Sequence, residues 1–192
     1  MRLLPPFRGL QLDSIVLLDS QEKVHAAKHE IEAITHVGFD TESKPVFQPN
    51  QPKTGPHLIQ IATPSKAYLC PIDFEYGIEM LRGILASETI AKVGFGLRSD
   101  QGAIQRALGV KLKRGVELST AVQRLGYQQK VGLQTAVAIV LGEYLQKSKK
   151  VTTSNWASRT LSEAQLLYAA NDAYASLRVH LALDVHVAPK IT

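Results

Sequence analysis

The chain has 192 residues, of which 45% are hydrophobic and 20% are charged, a balance typical of one globular domain rather than a disordered chain. The sequence holds no apolar run long enough to cross a bilayer, and prolines and charges interrupt its N-terminal segment, which favours a cytoplasmic protein without a signal peptide. The single cysteine excludes an intrachain disulfide and a cysteine-based zinc site, and the net charge of +5 permits a polyanionic partner without identifying one.

The apolar pattern predicts alternating strands and helices in the first part of the chain. A strand at 14–20 is followed by a helix over 20–34, in which apolar residues recur at helical spacing, and by a strand at 36–43. A loop rich in proline comes next. Two short strands at 57–65 and 66–72, separated by a Pro-Ser turn, then have the pattern of a hairpin.

Helices dominate the remainder of the chain. The predicted elements are a helix at 77–87, a strand at 90–96, and helices at 99–109, 116–126 and 132–145. A long last helix begins near Leu161, where Ser162 and Gln165 have the spacing of a capping box. This order predicts an α/β fold in which helices flank a mixed central β-sheet.

Asp40 and Glu42 end the strand that begins at His36. Because residues i and i+2 of a strand point to the same side, the two carboxylates are expected to project together. Two like charges side by side repel each other and resist burial. The alternative is that the strand has already left the core and both acids are solvated.

Two further acids stand at the start of one helix and beside the packed face of another. Asp100 follows a second apolar strand, and a helix capped by Ser99 would account for an acid in its first turn. Asp172 lies four residues after Tyr168, on the same helical face, in a helix whose small residues indicate a closely packed neighbour. A hydrogen bond in the core would equally account for this aspartate.

Taken together, the four acids suggest a metal site. Functional groups of α/β folds gather at strand ends, where these side chains can converge. Four carboxylates in one place would have to take up protons unless cations neutralise them. Mg²⁺ and Mn²⁺ prefer oxygen ligands, and a pair of such ions is a known device for in-line displacement at a phosphate.

Three motifs, in this order along the chain, resemble those of the DEDD 3′→5′ exonucleases of the tyrosine subtype. They are FDTES, VGFGLRSDQGAI and YAANDA, and their flanks are also similar to the branch that holds ribonuclease D and the Werner-helicase exonuclease. The resemblance covers about residues 12–184. It implies a ribonuclease H-like fold, hydrolysis from a 3′ end, and a stand-alone domain over residues 1–192 that lacks the C-terminal helical domain or helicase of many relatives.

The resemblance also implies a role for each residue of the motifs. Asp40, Glu42 and Asp172 would hold a divalent cation, Mg²⁺ or Mn²⁺, that activates the attacking water. Asp40 would bridge to a second such ion, which stabilises the leaving oxygen and which Asp100 holds largely through water. Tyr168 would orient the attacking water, because its ordinary pKa near 10 makes it a poor base at neutral pH.

Substrate contacts are expected from residues near these motifs. The amide of Thr41 would contact the terminal sugar, and the segment 44–47 would place an apolar wedge beside the last base, although Phe47 would serve equally as a loop anchor. The full set of expected contacts is Thr41, Lys44, Val46, Phe47, Arg98, Trp156 and Arg159. Positive charge is also concentrated at Lys147, Lys149 and Lys150, a pattern typical of a solvated loop.

The expected partner is nucleic acid with a free 3′ end. DNA is favoured because FDTES and YAANDAYA are nearer the Werner side, and processing of RNA 3′ ends in the manner of ribonuclease D is the alternative. A non-catalytic nucleic-acid-binding module would tolerate loss of an acid, whereas all four acids and Tyr168 are present. An endonuclease on the same fold would lack the spacing between Tyr168 and Asp172.

Overall fold

The computed structural model describes residues 3–46 and 54–187. Within these residues, six strands form one mixed sheet in the order β1-β4-β3-β2-β5-β6. The strands are β1 (Ile15–Leu17), β2 (His36–Glu42), β3 (Leu58–Ala62), β4 (Ala67–Pro71), β5 (Ala91–Gly94) and β6 (Gly115–Glu117). Strands β2, β3 and β4 pair antiparallel, while β1 with β4, β2 with β5 and β5 with β6 are parallel.

Helices cover both faces of this sheet in the described part of the chain. They are α1 (Gln21–Glu32), α2 (Glu75–Ala86), α3 (Leu97–Leu108), α4 (Leu118–Gln123), α5 (Leu133–Ala136), α6 (Lys149–Thr152) and α7 (Glu163–Val187). Helices α1, α2 and α3 share one apolar core with β2, β3 and β4. Helices α4, α5 and α7 pack on the other face. The predicted α/β fold with a mixed central sheet is confirmed.

Helix α7 crosses β2, β3 and β4 at close range. Its residues Ala169, Ala170 and Ala173 are fully buried, so small side chains bring its backbone near the sheet, as the sequence predicted. The approach is closest at Gly38 of β2, where a Cβ atom would overlap the carbonyl of Ala173. The helix begins with the predicted capping box, because Ser162 N donates to Gln165 Oε1 at 3.0 Å and Gln165 N donates to Ser162 Oγ at 3.3 Å.

Three local predictions were wrong. The helix expected over 116–126 begins only at Leu118, because Gly115–Glu117 pairs with β5 as an edge strand. The helix expected over 132–145 ends at Gly142, which has a positive φ of 66° after a π-helical turn at Val137–Leu141. Ser99 does not cap α3: the helix starts at Leu97, and Ser99 Oγ donates to the carbonyl of Gly96 at 2.6 Å.

Across the described residues, no helix combines the length and the apolar character needed to cross a bilayer.

Candidate active site

The end of β2 carries a cluster of carboxylates. Along this strand the side chains alternate, so that Val37 and Phe39 enter the core shared with α1 and α2, whereas Gly38, Asp40 and Glu42 face α7. One carboxylate oxygen each from Asp40, Glu42 and Asp172 lie within 4.8 Å of one another. The structure therefore brings the acid pair of β2 together with the aspartate of α7.

Asp100 lies beside this cluster rather than within it. It occupies the first turn of α3, which follows β5, and because β2 and β5 are parallel, their carboxyl ends meet at one edge of the sheet. The side chain of Thr41 favours the charged form of Asp100 and so lowers its pKa against the effect of burial. The charge of Asp100 raises the pKa of both Asp40 and Glu42, although more weakly than burial does. Three of the four acids therefore converge as expected, and Asp100 lies beside them.

Burial and mutual repulsion make this cluster a poor place for unneutralised negative charge. Burial raises the pKa of Asp40 to about 7, with the charge of Asp172 as the next cause. Burial likewise raises the pKa of Glu42 to about 9, with further help from Asp40. For Asp100, burial raises the pKa to about 6, and Glu117 adds to the rise. Without added cations, the site therefore holds protons at neutral pH.

Lys147 occupies this site in a way that the sequence analysis missed. Its ammonium Nζ lies 2.6 Å from Oδ2 of Asp172 and 5.2 Å from the centre of the Tyr168 ring. Burial lowers the pKa of this ammonium, but Asp172, with smaller contributions from Tyr168 and Asp40, outweighs that effect, and the pKa is raised to about 12. Lys149 and Lys150 are exposed, as predicted, but they begin helix α6 and do not lie in a loop. For Lys147 the predicted solvation was wrong.

Tyr168 stands one turn before Asp172 on α7, on the same face. Its hydroxyl lies 2.9 Å from Oγ1 of Thr152, and its ring packs at a tilt against Trp156, with ring centres 5.9 Å apart. Burial raises the pKa of the phenol, with the charge of Asp172 as the next cause. The hydroxyl is therefore neutral at physiological pH and oriented by its neighbours.

Trp156 is almost wholly buried, although it also lines the cavity of about 300 Å³ that Arg159 borders. It is 2% exposed, lies in the core beneath α7, and its indole Nε1 donates to the carbonyl of Thr152 at 3.3 Å. Its position shortly before α7 was predicted from the sequence, but its burial was not. In the structure its ring packs against the ring of Tyr168 and supports it.

The remaining residues near the first motif have varied positions. The amide of Thr41, expected to contact a sugar, donates instead to Oδ1 of Asp40 at 2.8 Å. Lys44 is exposed, and its amide donates to Nδ1 of His57 at 3.1 Å. Val46 is partly buried. Phe47 lies outside the described residues.

Two exposed arginines line clefts that do not include the acids of the cluster. Arg98, on α3, borders a cleft of about 520 Å³ together with Glu117 and Arg124. Arg159 borders a smaller cavity of about 300 Å³ beneath the segment that leads into α7. The contact of both side chains with substrate stays a prediction.

Glu117 is a second residue that the sequence analysis missed. Its Oε1 accepts hydrogen bonds from Gly96 N at 3.1 Å and from Ser119 Oγ at 2.8 Å. It thereby ties the loop before α3 to the start of α4, and so fixes the turn that carries Asp100. Because the sequence predicted a helix over 116–126, the place of Glu117 at the end of strand β6 was not predicted.

A family model described as 3′-5′ exonuclease matches residues 15–188. The chain belongs to the 3′-5′ exonuclease family. Within this family it is 38% identical over 150 residues to the bifunctional 3′-5′ exonuclease/ATP-dependent helicase WRN of Mus musculus. That alignment covers 75% of this chain but 10% of the mouse protein, so the chain spans a small part of this relative.

Solved structures of other exonucleases share the fold. The Aedes aegypti Nibbler EXO domain superposes with a TM-score of 0.78 at 22% identity, over 95% of this chain and 94% of that domain. Trypanosoma brucei RNase D in complex with RNA U12 also superposes with a TM-score of 0.78, at 20% identity, over 92% of this chain and 63% of that one. The predicted family and the ribonuclease H-like fold are both confirmed.

Proposed function

We propose that this domain removes nucleotides from the 3′ end of nucleic acid by hydrolysing phosphodiester bonds with the help of divalent cations. One observation carries the proposal: Asp40, Glu42 and Asp172 present carboxylate oxygens within 4.8 Å of one another. Tyr168 lies one turn away, and Asp100 stands beside the group. Membership of the 3′-5′ exonuclease family supports the polarity of the reaction.

The donor set suits hard cations. It consists of carboxylate oxygens alone, which Mg²⁺ and Mn²⁺ prefer, and its raised pKa values show that the protein itself does not neutralise the charge fully. Asp40, Glu42 and Asp172 would hold one ion, and Asp40 with Asp100 would hold another. Bound there, such ions supply an activated water and stabilise the charge of the leaving oxygen.

The residues of the chain contribute orientation. The amide of Thr41 fixes Oδ1 of Asp40, which keeps this carboxylate in one position between the two predicted ion sites. Tyr168 orients the attacking water through its neutral hydroxyl, which Thr152 holds in place. Because the pKa of this phenol is raised, it acts as a hydrogen-bonding group and not as the base.

DNA is the proposed substrate, and the similarity to mouse WRN at 38% identity supports it. RNA is the second candidate, favoured by the shared fold with an RNase D that was crystallised with RNA. Exposed Lys44, Arg98 and Arg159 would supply positive charge for phosphates of either strand. Because phosphate contacts do not distinguish the two sugars, the choice between them needs a direct test.

Digestion of matched DNA and RNA oligonucleotides tests the proposal. Single-stranded and recessed substrates of one sequence, labelled at the 5′ end, are incubated with Mg²⁺ or Mn²⁺. We expect a ladder that shortens progressively from the 3′ end, faster on DNA than on RNA, and no ladder with Asp40→Asn. Internal cleavage, or binding without turnover by the native protein, would contradict the exonuclease assignment. Persistent activity in excess chelator would contradict the role of the cations.

A further inference from the structure

The ammonium of Lys147 already occupies part of the site proposed for a metal ion. It contacts Oδ2 of Asp172 at 2.6 Å and favours the charged forms of both Asp40 and Glu42. We infer that Lys147 is a resident counter-cation, which stabilises the carboxylate cluster and must release Asp172 before a divalent cation can bind there. This inference rests on the proposed function, since it concerns the same site.

The backbone before Lys147 is held in place from two sides. Leu145 is buried, and its carbonyl accepts a hydrogen bond from Gln134 Nε2 at 2.9 Å. Tyr144 is strapped to the N-terminal segment, because its amide donates to Pro5 O at 2.8 Å and its carbonyl accepts from Phe7 N at 2.9 Å. The side chain of Lys147 therefore projects from a backbone segment that hydrogen bonds hold in place, and not from a freely moving loop.

The segment after Lys147 is fixed as well. The carbonyl of Ser148 accepts hydrogen bonds from the amides of Val151 and Thr152, each at 3.0 Å, at the start of α6. The hydroxyl of Thr152 donates to the same carbonyl at 3.0 Å. The side chain of Lys147 is 25% exposed, so it reaches inward along the Tyr168 ring while retaining a route to solvent.

In this arrangement the ammonium of Lys147 and a divalent cation compete for Asp172. An ammonium and a divalent cation cannot share Oδ2 of Asp172 at contact distance, since two positive charges a few ångströms apart repel strongly in a partly buried site. Removal of the lysine charge should therefore strengthen metal binding. A merely structural lysine, one that only orients Asp172, predicts the opposite, because its loss would disorder a ligand.

Calorimetric titration with Mn²⁺ separates these possibilities. It is performed at one alkaline pH, so that protons compete little for the carboxylates, on the native protein, Lys147→Met and Lys147→Arg. We expect Lys147→Met to lower the dissociation constant about tenfold, which corresponds to about 1.4 kcal/mol. Lys147→Arg keeps the charge and should stay within about twofold of the native value. Lys150→Met removes an exposed charge from the same tract and should match the native protein.

Thermal unfolding gives a second readout. In chelator, Lys147→Met should melt below the native protein because its carboxylates lack a counter-charge, and saturating Mn²⁺ should reduce or reverse that difference. If Lys147→Met fails to fold, Lys147→Gln replaces it, since the amide keeps a donor for Asp172 without a charge. Equal or weaker Mn²⁺ binding by these uncharged variants overturns the inference and leaves the proposed function intact. Failure of the native protein to bind Mn²⁺ overturns the proposed metal site and the inference with it.

Discussion

Gly38 of β2 lies so close to Ala173 of α7 that a side chain at position 38 would overlap the carbonyl of Ala173. This approach lets Asp172 reach Asp40 and Glu42 across the interface between strand and helix. The glycine has an ordinary backbone conformation, since its φ is not among the positive values. Its importance is therefore steric, and the carboxylate cluster depends on it.

Gly38→Ala should separate α7 from β2 and disperse the cluster. We expect a loss of about 1–3 kcal/mol in the free energy of unfolding, as for other overpacked cores, together with loss of most activity and of Mn²⁺ binding. Gly83→Ala is the matched control, because no atom lies within 4 Å of the added Cβ. Within helix α2, that change should stabilise the protein by about 0.5–1 kcal/mol. Full activity in Gly38→Ala would show that the site tolerates a wider gap.

Asp40→Asn and Asp172→Asn should both abolish hydrolysis but should have opposite effects on stability. Asp40→Asn removes repulsion from the cluster, so the metal-free protein should melt higher at alkaline pH. Asp172→Asn deprives Lys147 of its ion pair. The resulting loss should stay below the ~3–5 kcal/mol typical of fully buried pairs, since the lysine is partly exposed. Turnover assays and melting curves in chelator check both expectations, and normal turnover by either variant contradicts the site assignment.

Tyr168→Phe should lower the turnover rate by about 10–100-fold, a loss typical of a misplaced reacting group, with little change in nucleic-acid binding. The ring can remain packed on Trp156 while the hydroxyl held by Thr152 is lost. Tyr174→Phe makes the same chemical change in the same helix, beside Phe7, and should leave the rate unaltered. Single-turnover kinetics and binding measurements on both variants make the comparison. A native rate in Tyr168→Phe would remove its proposed role.

The metal-free protein should lose stability as pH rises from about 4 to about 9. The pKa values of Asp40 and Glu42 are raised from 3.8 and 4.5 to about 7 and about 9, mainly by burial. In that window the folded chain binds more protons than the unfolded chain, so the free energy of unfolding decreases with increasing pH. Each loss of about 1 kcal/mol should lower the Tm by about 2–4 °C.

Melting curves in chelator across this pH range provide the measurement. Added Mg²⁺ or Mn²⁺ should raise the Tm most at high pH, where the carboxylates are free of protons. Glu42→Gln should flatten the dependence on pH, because it removes a carboxyl group whose pKa burial raises to about 9. A Tm that increases steadily over the same range without metal would contradict the assigned burial of these carboxylates.

Local rules were sufficient to predict much of this fold and site. The alternation of side chains along β2 placed Asp40 and Glu42 together, and helical spacing placed Tyr168 above Asp172. The capping box of α7 also depends on neighbours in the sequence alone. In each case the deciding interactions span at most a few residues, which is the range over which periodicity carries information.

Other features depended on distant partners. Strand β6 has three residues, too few for a periodic pattern, and it exists because Val116 pairs with Val93 of β5. Lys147 lies in a tract with two other lysines, and the sequence does not distinguish it from them. Only its contact with Asp172 in the folded protein does so. Trp156 is buried because α7 covers it. Sequence patterns do not encode such tertiary contacts directly.

The clustering of Asp40 and Glu42 with Asp172 also bears on the synthesis of the protein. A ribosome produces β2 long before the codon for Asp172 is translated, and domains fold as their segments emerge. Until α7 docks on Gly38, the nascent chain presents one acid pair without its third partner. The complete carboxylate cluster is therefore expected only at the end of domain synthesis, when Asp172 reaches the acid pair of β2.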